Sequence, residues 1–221
     1  MNRPDYKLVI KIYICFISYY IISVFVIEKY IYKFILWNLF LAVIPLGFAF
    51  LLHLSLKRGR RIRIWDLVLG ALWLLFFPNA PYLITDLIHI NAMPFYDVGI
   101  SSIGIEYWVS LLHIGGGVLF GLLAGMYSLM IIHKILLARA GAGIGNIMLG
   151  CICILAGYGV YIGRFIRLNS WDIISPFYVL ETLFTRLSIR GAVLSMLFAV
   201  FILICYLLFY MFINPRYSPE G

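Results

Sequence analysis

Residues 76–91 read FFPNAPYLITDLIHIN, and the placement of this stretch decides how the rest of the chain is arranged. It closes a long apolar run with two prolines, Pro78 and Pro81. A carboxylate, Asp86, and an imidazole, His89, follow within eight residues of Pro81. Proline removes a backbone donor and breaks the helical ladder. A charge at membrane depth costs roughly several kcal/mol unless it is paired or wetted. In a chain that is 64% hydrophobic, this run of polar and helix-breaking residues marks a candidate site.

A mean hydropathy of +1.04 with 12% charged residues excludes a soluble globular domain. A helical span needs about 20 mainly apolar residues. The 221 residues accommodate six, joined by short loops. The expected fold is therefore all-α: one integral membrane domain over residues 1–221, a polytopic transmembrane bundle of about six spans. The net charge of +8 fits a basic cytoplasmic face rather than nucleic acid, so the bilayer is the expected partner and nucleic acid is not. Cys15, Cys151, Cys153 and Cys205 all fall inside apolar runs, where cysteine behaves as a small hydrophobe. Cys151 and Cys153 would point about 200° apart on a helix and cannot share a metal. The first apolar run lacks a small-residue cleavage site, which predicts a retained span rather than a cleaved signal.

Taken in order, the spans are expected at about 8–27, 34–56, 64–77, 107–132, 147–161 and 192–213. The third is interrupted at Pro78 and continues towards residue 90. The loop KRGRRIR, residues 57–63, holds five basic groups in seven positions and belongs in the cytoplasm. Parity then puts both termini there, and residues 91–106, which carry Asp97 and Glu106 without a lysine or arginine, on the opposite side. Gly117, Gly121 and Gly125 recur every fourth residue in the fourth span. Such a stripe lets another helix approach closely, either within the chain or from a partner. AGAGIG, residues 140–145, reads as a turn; no strand precedes it and no lysine closes it as a phosphate loop would require. Ser175 and Pro176 open an amphipathic helix over 177–190 that lies at the interface. His53 and His133 fall at the cytoplasmic ends of their spans and are expected there as interfacial residues.

Two blocks, FFPNAPYLITDLIH and YIGRFIRLNSWDI, together with the weaker run WNLFLAVIPL at residues 37–46, resemble the signature of a known family. Its members are bacterial polytopic membrane proteins of unknown function. Neither PNAPY-xx-TD-xx-H nor GRF-xx-RLNSWD is a generic membrane pattern. The resemblance implies a multi-pass helical protein of the bacterial cytoplasmic membrane and brings no known activity, substrate or cofactor.

Both blocks close their spans at the same, extracytoplasmic end, and His113 lies less than two turns into the fourth span from that end. The candidate ligand-binding residues are Asn79, Tyr82, Asp86, His89, His113, Arg164, Arg167, Asn169, Trp171 and Asp172. On a helix begun by Pro81, Tyr82, Asp86 and His89 would form one stripe. Arg164 and Arg167 would share a face, and an arginine paired with Asp86 or Asp172 would lower the cost of both charges. Asn79 equally suits a role in satisfying backbone groups freed by the break. Two arginines beside a broken helix favour a small or lipid-borne anionic ligand, since their forks match phosphate and carboxylate oxygens. An enzyme using Asp86, His89 and His113 as acid–base or metal-binding groups is the alternative. No HExxH or GxSxG supports it, so no catalytic residue, metal or cofactor is assigned. A third reading is an accessory subunit that binds partners through the glycine stripe.

Overall fold

Ile35, Leu39, Ala42, Leu46 and Ala49 are all fully buried and recur at intervals of four and three along one helix, α2 (Lys33–Ser55). That spacing places them on one stripe, and the stripe faces the centre of a bundle. The structure, a computed structural model, describes residues 6–27, 33–56, 61–92, 104–167, 175, 177, 181 and 188–213. All regular structure among them is helical. Before α2 comes α1 (Tyr6–Ile27). After it come α3 (Ile64–Phe76), the single turn α4 (Asn79–Tyr82) and a 3-10 segment, Leu83–Ala92. The long α5 (Ile105–Tyr161) runs into a π turn, Ile162–Ile166, and α6 (Ile189–Ile213) ends the described chain.

Among the described residues, four helical runs are long and apolar enough to cross a membrane: Phe34–Ser55, Ile64–Ile90, Tyr107–Ile166 and Ile189–Ile213, with a shorter apolar run, Ile10–Ile22, in α1. A straight helix of 60 residues would be about 90 Å long, roughly three times the hydrocarbon core. It does not run straight. Gly141 has φ 81° and ψ 169°, a conformation that a residue without Cβ adopts readily. There the chain folds back. His133 Nε2 lies 3.1 Å from Asn146 Oδ1, although thirteen residues of straight helix would part them by about 20 Å. The two arms, 105–140 and 142–161, correspond to the expected fourth and fifth spans. The amphipathic helix expected over 177–190 falls largely outside the described residues.

Aspartate opens α3 locally: the Arg63 N–H donates to Asp66 Oδ2 at 2.8 Å, and Asp66 N–H returns to Arg63 O at 3.0 Å. A carboxylate in the first turn satisfies an orphan donor and suits the helix dipole. After the thirteen residues of α3, Pro78 ends the regular ladder. Because Pro81 has no N–H to offer Phe77 O, the Ala80 N–H takes that carbonyl instead, at 3.1 Å. This leaves Phe76 O, and the Asn79 side-chain amide donates to it at 2.8 Å. Thr85 Oγ1 donates to Tyr82 O in the same way, also at 2.8 Å. The break is thus hydrogen-bonded from within.

Its packing comes from α5. A Cβ on Gly125 would stand 2.4 Å from Ala80 Cβ, and one on Gly121 would stand 2.1 Å from Leu83 Cδ1. From the second arm, a Cβ on Gly159 would stand 2.6 Å from Pro78 Cγ. The glycine stripe of the first arm therefore receives the chain's own broken segment. Gly117 completes it against Ile35 of α2 and the Tyr19 hydroxyl of α1. In a membrane this close packing, rather than a hydrophobic drive, holds helices together.

Candidate functional site

The 3-10 geometry of Leu83–Ala92 determines which side chains share a side. Residues three apart eclipse in such a helix, so Leu83, Asp86 and His89 line up. The α-helical stripe of Tyr82, Asp86 and His89 expected from spacing four and three does not form. Tyr82 belongs to α4 and stays half-buried off that line. Leu83 is fully buried and Asp86 is 1% exposed. A carboxylate at that depth requires partners, and it has two among the described residues.

Asn38 Nδ2, from α2, donates to Asp86 Oδ2 at 2.8 Å. Arg164 Nη1, from the π turn after α5, lies 3.7 Å from Asp86 Oδ1. The π turn brings the arginine there. Its i→i+5 bonding widens the turn, so Arg164 swings towards the side of the arm occupied by Gly159. Gly159 faces Pro78, and Pro78 and Asp86 lie on the same broken segment. The pairing of an arginine with Asp86, expected from charge cost, is present in the structure.

Arg167 behaves differently. It ends the π turn with φ 65° and ψ 31°, a left-handed conformation usual for glycine at a helix end. The regular spacing that would have placed it beside Arg164 stops there, and its side chain is exposed. His89 packs its ring on Phe34, with centroids 4.5 Å apart at 51°. His113 meets α1: its ring stacks on Tyr19 at 5.3 Å, Tyr19 Oη lies 3.1 Å from Nδ1, and the same hydroxyl donates to His113 O. Asn79 takes the backbone role described above. Asn169, Trp171 and Asp172 lie outside the described residues.

No group of three His, Cys, Asp or Glu among the described residues could hold a metal ion, so Asp86, His89 and His113 do not assemble into one donor set. What does assemble is a buried carboxylate fixed by an amide, with a guanidinium whose side chain is 23% exposed. The protein of unknown function family DUF1361 matches residues 37–205, which include both sequence blocks and every element of this cluster.

The chain belongs to DUF1361.

The family match leaves α1 outside its limits, although Tyr19 of α1 contacts His113 within them. No curated protein and no solved structure matches the chain. The apolar helices fit an integral membrane protein, and membership assigns no reaction to the cluster.

Asn38 escapes a reading of the sequence, and its only signal there is a lone amide inside an apolar span. A second polar cluster is equally hidden. His133, expected at an interface, is 6% exposed and lies between the arms of α5 and α6. Its Nε2 faces Asn146 Oδ1 and its Nδ1 stands 2.7 Å from Tyr206 Oη. With the amide oxygen accepting, Nε2 carries the proton and Tyr206 donates to Nδ1. The hairpin at Gly141 folds the second arm over this residue and buries it within the bundle.

Proposed function

We propose that DUF1361 protein binds an anionic ligand at the end of the bundle carrying Asp86, with Arg164 as the group that grips it. The observation that supports this reading is the way the arginine is held. Asp86 stands 3.7 Å away, buried and oriented by Asn38, while part of the Arg164 side chain stays open. A guanidinium has five N–H donors in a planar fork, more than one carboxylate can take, so donors remain for phosphate or carboxylate oxygens. The buried acid also offsets the charge, which lets an arginine persist at this depth while no ligand is present. Exposed Arg167 adds a second cation at the same end. We take this end to be extracytoplasmic, on the basis of the basic loop at 57–63.

The test is anion binding to the purified, detergent-solubilised protein, read as the rise in unfolding temperature with inorganic phosphate, sulfate or acetate. A ligand that binds only the folded state must raise it in a saturable way. Arg164→Lys keeps the charge and loses the fork, so about a tenfold loss of affinity is expected, with folded protein still recovered. Asp86→Asn should weaken binding by misaligning the guanidinium, and His89→Ala should slow any turnover more than it weakens binding. Absence of a saturable anion effect in the unaltered protein would overturn the proposal. Variants that bind in proportion to folded protein would reduce the cluster to a structural pair.

A further inference from the structure

The two carboxylate oxygens of Asp86 stand in different surroundings. Oδ2 accepts from the Asn38 amide at 2.8 Å. Oδ1 is buried and, among the described residues, accepts no hydrogen bond. Arg164 Nη1 is 3.7 Å from it, near enough to balance its charge and too far for a hydrogen bond. Burial also differs across the pair: the carboxylate is enclosed, while part of the arginine side chain is open. An anion can therefore reach the guanidinium without reaching Asp86 from solvent.

Such binding sets a second anion on a guanidinium that already balances one. Two anions at one cation repel, and in an enclosed site little water screens them. The carboxylate is not free to swing away, because Asn38 holds Oδ2 and Leu83, on the same 3-10 line, is fully buried. A proton on Oδ1 relieves the repulsion without moving a heavy atom, and Oδ2 keeps its amide donor. Few other groups compete for that proton. His89, on the same segment, is the other charge-bearing group acting on Asp86, and its ring packs on Phe34. From α2 comes Asn38, which does not titrate, and Tyr82 of α4 lies off the line. The first arm of α5 brings Ile114, Val118 and half-buried Tyr107 to the apolar cluster around Leu83, while its His113 stacks on Tyr19. The π turn adds Arg164 itself, with Arg167 exposed beyond it.

We propose that Asp86 takes up one proton whenever an anion binds at Arg164, so that the site binds an anion and a proton together. The inference rests on the anion-site reading and adds a second ligand to it. The proton passes from solvent to Oδ1, the carboxylate becomes a neutral acid, and the guanidinium exchanges the carboxylate for the anion as its partner. The complex then holds one proton more than the free protein. Affinity must accordingly fall as pH rises, by up to about tenfold per pH unit.

The test adds sulfate, which does not itself titrate near neutral pH, to the detergent-solubilised full chain in a calorimeter. Repeating it in buffers of different ionisation enthalpy counts the protons taken up per anion bound. About one is expected for the unaltered protein and about none for Asp86→Asn, whose amide cannot gain one. The count is the readout, so a change in affinity from a misaligned guanidinium does not disturb it. Uptake that persists in Asp86→Asn would overturn the assignment. Should that variant not fold, His89→Gln decides: a count near one supports the carboxylate, and a count of zero moves the proton to the imidazole and overturns it. Saturable sulfate binding without proton uptake in the unaltered protein would also overturn the coupling, and the anion site would stand. If sulfate, phosphate and acetate all fail to bind, both readings fall.

Discussion

Gly125 and Ala80 lie so close that a Cβ on the glycine would come within 2.4 Å of the alanine Cβ. Neither atom belongs to a flexible side chain, so the contact cannot be relieved by a rotamer change. The first arm of α5 and the broken continuation of α3 are held at this separation by the absence of one carbon.

Gly125→Ala should therefore lower stability by about 1–3 kcal/mol, the usual cost of overpacking a filled interior. Gly150 is the control: a Cβ there meets nothing within 4 Å. Gly150→Ala in a helical arm should be neutral or stabilising by about 0.4–1 kcal/mol. Thermal unfolding in detergent compares the two, and equal losses would mean that the Gly125 contact carries no special weight.

Arg164, Asp86 and Asn38 should behave as one unit. Arg164→Gln leaves a buried carboxylate without its cation and should cost about 3–5 kcal/mol. Adding Asp86→Asn removes that stranded charge, so the double variant should recover part of the loss. A double-mutant cycle measures a coupling of roughly 1–3 kcal/mol if the pair is formed in the folded protein. Additive losses would show the pair to be energetically idle.

Asn38→Asp offers a sharper check on the amide. It would set a second carboxylate where a donor now lies 2.8 Å from Asp86 Oδ2. Like charges at that separation repel, whereas Asn38→Ala loses only one hydrogen bond, at about 1–3 kcal/mol. The yield of folded protein should fall in the order Asn38, Ala, Asp.

At the opposite end, Tyr206→Phe deletes the hydroxyl that meets His133 Nδ1 at 2.7 Å and leaves a buried ring nitrogen unsatisfied. A loss of about 1–3 kcal/mol is expected, with anion binding per folded molecule unchanged. A change in anion binding would instead link the two ends of the bundle.

Sidedness can be read chemically. In a cysteine-free background, a membrane-impermeant maleimide added from outside should label Ser101→Cys and miss Gly59→Cys, the outcome expected from the charge of the basic loop at 57–63. The reverse pattern would move the Asp86 cluster to the cytoplasmic face.

The helical architecture and the break at Pro78 were legible in the sequence because length, hydropathy and proline are local signals of large magnitude. The Asp86–Arg164 pairing was legible for an energetic reason, since two charges near hydrocarbon need each other. Geometry within the site was not. LITDLIHI shows the spacing of an α-helix but folds as a 3-10 segment, so Leu83 rather than Tyr82 aligns with Asp86. Arg164 and Arg167 look equivalent in the sequence, yet a π turn and one left-handed residue send them to different places. Asn38 depends on the rotation of α2 about its own axis, which no single residue reports. The burial of His133 was not legible because it depends on the reversal at Gly141.

Chain order has a consequence for the broken segment. Residues 78–83 leave the ribosome before any part of α5, so the glycines that receive them do not yet exist. The hydrogen bonds of the break need not wait: Asn79 to Phe76, Thr85 to Tyr82 and Ala80 to Phe77 each span three residues. The segment can therefore satisfy these carbonyls by itself while α5 is still being made. Its docking is complete only with both arms, because Gly125 and Gly159 lie on opposite sides of the reversal at Gly141. Biogenesis thus divides into an early step that is local and polar and a late one that is distant and steric.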